Sequence, residues 1–281
     1  MTIDYEIEYD NRGRVKDHPA ILGRMADDAA RYRAERAASE HTELGVRFGT
    51  SERQIVDLFH PDSGGEGPIV VFIHGGYWRA MAPSAFSGLA AGLNARGVTV
   101  AMTGYDLCPQ VSISDIVDQT RKALLFLYRR HGRPLVVTGH SAGGHLAAAM
   151  LATNWRSFGA PHDLVPAAAA FSGLFDLVPL TRISMNADFG MDDSEAKRLS
   201  PLFWAVPVGK TFDAIVGGAE YSENLRQSRS IVDAWGQAGV VTRYDAPEEA
   251  NHFTVIEPLA DPDSATVRRL LELCQSVKAS A

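Results

Sequence analysis

From residue 53 onward the apolar positions of this chain alternate between two rhythms. Short apolar runs at residues 54–59, 69–73, 99–103, 135–138, 167–171, 212–216 and 240–244 predict strands. Several lack polar alternation, as strands covered on both faces of a parallel sheet should. Between them, residues 112–131 place Ile113, Ile116, Val117, Thr120, Leu124, Leu127 and Tyr128 at helical spacing, with Asp115, Asp118, Arg121, Lys122 and Arg129 on the opposite face. That pattern predicts a helix lying on a sheet with its charged side in water. Residues 83–96, 142–152, 222–238 and 264–278 predict further helices. Strand and helix in alternation imply an α/β fold, a mostly parallel central sheet flanked by helices.

Two segments break the rhythm. Residues 1–50 form a polar extension rich in Arg and Glu, within which residues 17–38 predict an exposed helix. Its two natural seats are over the site or on a partner subunit. Residues 176–210 hold Pro179, Pro201, Pro207, Phe189, Phe203 and Trp204, and predict a short irregular insertion after the sixth strand. Open α/β sheets bind ligands beyond the carboxyl ends of their strands, so this insertion is placed to act as a cap or lid. No repeat divides the chain, and its 281 residues are read as one domain, 1–281.

Composition narrows the class. With 46% hydrophobic and 22% charged residues, disordered, collagen-like and coiled-coil classes are excluded. The 27 Lys and Arg against 34 Asp and Glu leave a net charge of −7, which argues against a nucleic-acid partner. The amino terminus is charged and has no apolar h-region, so no secretory signal is expected. Residues 134–155 carry no Asp, Glu, Lys or Arg and approach the length of a membrane span. Their glycines, histidines, threonines and serine suit a buried strand–turn–helix better. The expectation is a soluble, cytoplasmic protein with a small-molecule partner and no membrane partner, a homodimer being left open. Cys108 and Cys274, 166 positions apart, are read as reduced, packed thiols. Gly64-Gly-Glu-Gly67 precedes a strand and is read as a surface turn.

The chemistry concentrates in Leu135-Val-Val-Thr-Gly-His-Ser-Ala-Gly-Gly144, a G-x-S-x-G sequence between an apolar strand and a helix. That context is the one a nucleophile elbow requires: Gly139 and Gly143 permit a tight turn that lifts the Ser141 hydroxyl clear of the sheet. Upstream, the strand at 69–73 ends in His74-Gly75-Gly76-Tyr77-Trp78. Glycines there let main-chain N–H groups approach a tetrahedral oxyanion, so Gly75, Gly76 and Tyr77, with Ala142, form the candidate oxyanion hole. A general base should follow the serine. Of His145, His162 and His252, only His252 lies after the last strand, while His145 sits on the helix behind the serine and cannot turn back. His74 and His140 are read as shaping the site. For the acid that orients the base, Glu220 stands at a strand's carboxyl end, with Asp176, Asp245 and Glu249 as competitors. Trp78, Tyr105, Phe175 and Phe253, with Tyr77 and Phe189, are the candidate apolar walls for substrate. No His-Glu-x-x-His occurs, and His140 and His145 have no third ligand, so neither metal nor cofactor is expected.

Taken together, these motifs resemble those of the α/β-hydrolases, and within them of the kynurenine formamidases (arylformamidases) and related esterases. The resemblance rests on His74-Gly-Gly-Tyr-Trp78, Tyr105-Asp-Leu-Cys-Pro109, Gly139-His-Ser-Ala-Gly-Gly-His145, residues 172–180 and Arg226-Gln-Ser228. It places Glu220 where that family usually has an aspartate. It implies a cofactor-free serine hydrolase acting on N-formylkynurenine or a similar aryl formamide, or on short-chain esters. A short-chain carboxylesterase or another catabolic amidase is the alternative within the fold. A non-catalytic ligand-binding protein on the same scaffold is the alternative outside enzymology.

Overall fold

The computed structural model describes residues 3–65 and 67–279. Glu66 of the expected 64–67 turn, and the first two residues of the amino-terminal stretch, lie outside the described residues. Eight strands form one sheet: β1 Thr42–Arg47, β2 Ile55–Phe59, β3 Ile69–Ile73, β4 Val100–Thr103, β5 Leu135–His140, β6 Ala167–Phe171, β7 Thr211–Ile215 and β8 Val241–Asp245. Their order is β1-β2-β4-β3-β5-β6-β7-β8. β2 runs antiparallel to both β1 and β4, and every pair from β4 through β3 to β8 is parallel. This is the mostly parallel α/β sheet expected from the alternation of apolar runs, in the α/β-hydrolase arrangement that the motif resemblance implied.

Alternate side chains of the central strands feed two cores. Ile69, Val71 and Ile73 of β3 join Leu135 and Val137 on one face, and Val70 and Phe72 join Val136 on the other. The first face is covered by α5 (Ile113–His131), α6 (Ala142–Ala152) and α9 (Ser222–Gln237), and the second by α10 (Ala265–Ala279) and the 3-10 segment Thr254–Ala260. α5 starts on a reciprocal Ser112–Asp115 capping box and ends at Gly132 in the left-handed region. The uncharged stretch 134–155 is β5 and the buried helix α6. Among the described residues no helix is long and apolar enough to cross a membrane. Cys108 and Cys274 are both buried, and burial pushes the Cys108 thiol up to about 11.

Three local expectations are revised. The helix over 83–96 is a 3-10 segment, Pro83–Ala90, followed by the short α4, Ala91–Ala95. Close backbone contacts set this path: a Cβ on Gly92 would stand 2.4 Å from the Leu259 carbonyl oxygen. β1 was hidden in the polar extension because edge strands need main-chain pairing more than an apolar run, and every residue of β1 is half-buried or exposed. The extension also holds α1 (Tyr5–Glu8), α2 (Asn11–Arg14) and α3 (His18–Ala37). α3 is tied to the sheet by Arg33, which donates to the buried Asp57 of β2. The insertion 176–210 folds into α7 (Asn186–Phe189), α8 (Asp193–Leu199) and 3-10 turns, with Leu177, Leu180, Phe189 and Leu199 in the core.

Candidate active site

β5 ends at His140, and Ser141 turns the chain into α6 at φ 56° and ψ −118°. A side chain rarely occupies that region, so the turn persists only because its surroundings force it. The forcing comes from close backbone packing. A Cβ on Gly139 would lie 2.2 Å from the Gly143 oxygen, and one on Gly143 would lie 2.0 Å from the Ile73 oxygen. The turn is also stitched by main-chain bonds, from Ser141 N–H to Phe171 O at 2.8 Å and from Gly144 N–H to Ser141 O at 2.8 Å.

The chain after β3 approaches the same point. Gly76 has φ 108°, Tyr77 50° and Trp78 54°. Gly76 and Tyr77 line a cavity of about 590 Å³ together with His140, Ser141 and His252. Among the described residues the main-chain N–H groups of Gly76, Tyr77 and Ala142 reach no main-chain acceptor. Ala142 opens α6, where such unpaired N–H groups favour an anion. Gly75 takes a supporting place: it packs against His140 and Ser141, and its carbonyl accepts from His74 Nδ1–H at 2.7 Å.

The remaining two groups come from the ends of β7 and β8. Gly217 follows β7, and a Cβ there would meet the Ala250 oxygen at 2.4 Å, so the two loops lie against each other. This close seating sets His252 beside Glu220. His252 Nδ1–H donates to Glu220 Oε2 at 2.7 Å. Glu220 also accepts from Asn224 Nδ2–H at 2.8 Å, from Gly217 N–H at 2.7 Å and from the Ser172 hydroxyl at 2.5 Å. Four donors around a carboxylate that is 5% exposed compensate for its burial. The competitors are elsewhere. Asp176 pairs with Arg226 and Asp245 with Arg243, while Glu249 is exposed. His162 is exposed on a loop, and His145 donates to Leu199 O behind the nucleophile turn.

His140 has a definite task. Its Nε2–H donates to the His252 carbonyl at 2.7 Å, and the two rings lie 4.7 Å apart. Burial, and then the neighbouring His252, hold it down to about 3, so it stays neutral. Burial likewise holds His74 and His145 down to about 4. These three rings make the fold acid-sensitive. In the unfolded chain they take up protons as the pH falls through 6.5, while in the folded chain they resist until about 4 or 3. Stability is therefore complete above that window and falls as the pH falls through it, by up to ~1.4 kcal/mol per unit per ring. A series of thermal melts from pH 7.5 to 4.5 should show a steepening decline below pH 6.5. A flat series would contradict this account.

The predicted aromatic walls divide. Phe253 lines the cavity and meets His252 edge-on at 5.5 Å. Trp78, Tyr105 and Phe175 do not line it and are fully buried. Trp78 packs edge-on against His145 and Phe189, Tyr105 stacks on His74 at 4.2 Å, and Phe175 meets Phe212 in the core. Beside a motif in sequence, a large apolar side chain is drawn inward by the same burial that builds the core. Half of the walls that the sequence did not disclose come from the extension, among them Tyr9, Asn11 and Arg12 around α1 and α2, and Leu22 and Met25 of α3. The insertion adds Ser184 and Met185, and Ser184 donates through N–H and hydroxyl to Glu6 of α1. Of the two seats left open for the extension, the structure shows the one over the site.

Fold and site together define a hydrolase of the α/β-hydrolase class. The BD-FAE family profile matches residues 56–195. Kynurenine formamidase of Danio rerio is 30% identical over 251 residues, covering 85% of this chain and 84% of its own length. That of Drosophila melanogaster is 31% identical, covering 80% and 79%. A solved structure from Silicibacter sp., described as a candidate thioesterase, is 36% identical and superposes with a TM-score of 0.83, covering 95% of this chain and 98% of its own. The chain belongs to the kynurenine formamidase family.

Proposed function

We propose that the protein hydrolyses an aryl formamide such as N-formylkynurenine through a formyl-enzyme on Ser141. The observation carrying this reading is the 2.7 Å hydrogen bond to Glu220 from His252, which lines the same cavity as Ser141. His252 takes the Ser141 proton as the hydroxyl oxygen attacks the formyl carbon. The N–H groups of Ala142 and of Gly76 or Tyr77 receive the oxyanion. His252 then returns the proton to the leaving aryl amine as the C–N bond breaks. Water, deprotonated by His252, attacks the formyl-enzyme and releases formate, and Ser141 recovers its proton. Glu220 keeps the Nδ1 proton in place and stabilises the imidazolium without taking the proton itself.

Two further observations support the substrate. The relatives bearing the formamidase name match this chain over most of its length. Arg12 lines the cavity and forms no ion pair within the described residues, which suits a leaving group that carries a carboxylate. Purified protein should deformylate N-formylkynurenine with kcat/KM near 10⁴ M⁻¹s⁻¹ or above, within the usual enzyme range, and exceed its rate on p-nitrophenyl acetate and butyrate. Arg12→Gln should raise KM for N-formylkynurenine about tenfold, the equivalent of one charge-assisted bond, and leave neutral formanilide unchanged. Ester turnover with negligible deformylation would overturn the formamide and keep the serine hydrolase. The Silicibacter relative favours a second reading, an acyl thioester on the same machinery, so an acyl thioester belongs in the substrate panel.

A further inference from the structure

Tyr77 is half-buried and carries one of the candidate oxyanion N–H groups at φ 50°, where a tyrosine is strained unless something holds it. Its hydroxyl is that hold. It donates to the Tyr9 carbonyl at 2.8 Å and accepts from Asn11 Nδ2–H at 3.2 Å. Asn11 is 6% exposed, and its Oδ1 accepts from Asn224 Nδ2–H at 3.1 Å. Asn224 Nδ2–H also donates to Glu220 Oε2, the oxygen that His252 holds. An unbroken run of side-chain hydrogen bonds thus joins the acid of the proposed triad to the oxyanion turn. Its middle member comes from the amino-terminal extension.

The extension is firmly seated at this point. Tyr9, 1% exposed, donates to Glu223 Oε2 and accepts from Gln227 Nε2–H at 2.7 Å, and Glu8 accepts from Ser222 and Glu223 at the start of α9. Residues 8–11 are therefore pinned to α9, which also carries Asn224.

We propose that Asn11 is a positioning residue: through Tyr77 and Asn224 it keeps the oxyanion N–H of Tyr77 in register with the Glu220–His252 pair, so that the site is complete only with the extension docked. This rests on the serine-hydrolase reading above. The oxyanion forms only in the transition state, so misplacing its donor lowers kcat and spares KM. Tyr77→Phe removes the hydroxyl and keeps the ring and the main chain, and Asn11→Ala removes the middle link. Each folded variant should lose about tenfold in kcat with KM within twofold of the parent. Because both changes break the same bond, the double variant should lose no more than the worse single one. Circular dichroism and melting curves identify the folded fractions, and Tyr77→Phe keeps the test open should Asn11→Ala not fold. Unchanged kcat in the folded variants would overturn the proposal. A loss confined to KM would also overturn it, making Asn11 a substrate contact. Multiplying losses in the double variant would do the same. Failure of the serine-hydrolase reading itself would look different, as a parent enzyme whose turnover survives Ser141→Ala.

Discussion

Ser141→Ala is expected to lose roughly 10⁴–10⁶-fold in kcat, the range found when a nucleophile is removed from such a constellation, while its melting temperature stays within a degree or two of the parent. Both halves follow from the turn. Every recorded bond of residue 141 that shapes the backbone is a main-chain bond, so alanine keeps the N–H to Phe171 O and the carbonyl to Gly144 and His145. Alanine bears the φ 56° strain as serine does. Ser141→Gly, free of that strain, should be equally inactive and melt roughly 2 °C higher, since relief of about 1 kcal/mol has that effect in a chain of this size. Activity and melting of the three proteins test this together. Substantial turnover by Ser141→Ala would reject the acyl-enzyme.

The second large effect belongs to Glu220. Glu220→Gln should lower kcat by roughly 10³–10⁴-fold with little change in KM, as loss of the orienting carboxylate does in triads of this kind. The site explains why a near-isosteric change costs so much. One oxygen of Glu220 accepts from His252 and Asn224, and the other from Gly217 N–H and Ser172. A glutamine must turn its NH₂ toward one of those pairs. Toward His252 it forces the imidazole into the wrong tautomer, and toward Gly217 it sets two N–H donors face to face. Glu220→Ala should also unfold more readily, because four donors lose their acceptor in a buried place. Steady-state kinetics on Glu220→Gln, with melting data on both variants, check the argument. More than a tenth of parental kcat in Glu220→Gln would remove Glu220 from the triad.

How far these conclusions were legible in the sequence differs from residue to residue. Ser141 could be found because an elbow needs glycines on both sides, an apolar strand before it and a helix after it, all within ten positions. The parallel sheet could be read because strands covered on both faces have no polar positions to interrupt them. The choice of Glu220 over Asp176, Asp245 and Glu249 was open, since spacing along the chain does not say which loops meet. The loops after β7 and β8 meet because Gly217 lets Ala250 press against it. The aromatic walls were misjudged for a related reason. Trp78, Tyr105 and Phe175 flank the motifs but turn into the core, where a large ring removes the most apolar surface from water.

The sequence by itself determined the alternation of strands and helices through the central sheet and the positions of the serine turn and of the glycine-rich turn opposite it, because each of those patterns lies within a few neighbouring positions. Tertiary structure alone decided which carboxylate meets His252, which rings line the cavity, and that α1, α2 and α3 roof it. Those outcomes depend on contacts such as Tyr9 with Glu223 and Gln227, more than two hundred positions apart in the chain. The local pattern around Tyr9 is that of a solvated polar segment. Only the closed fold supplies the buried partners that hold it in place.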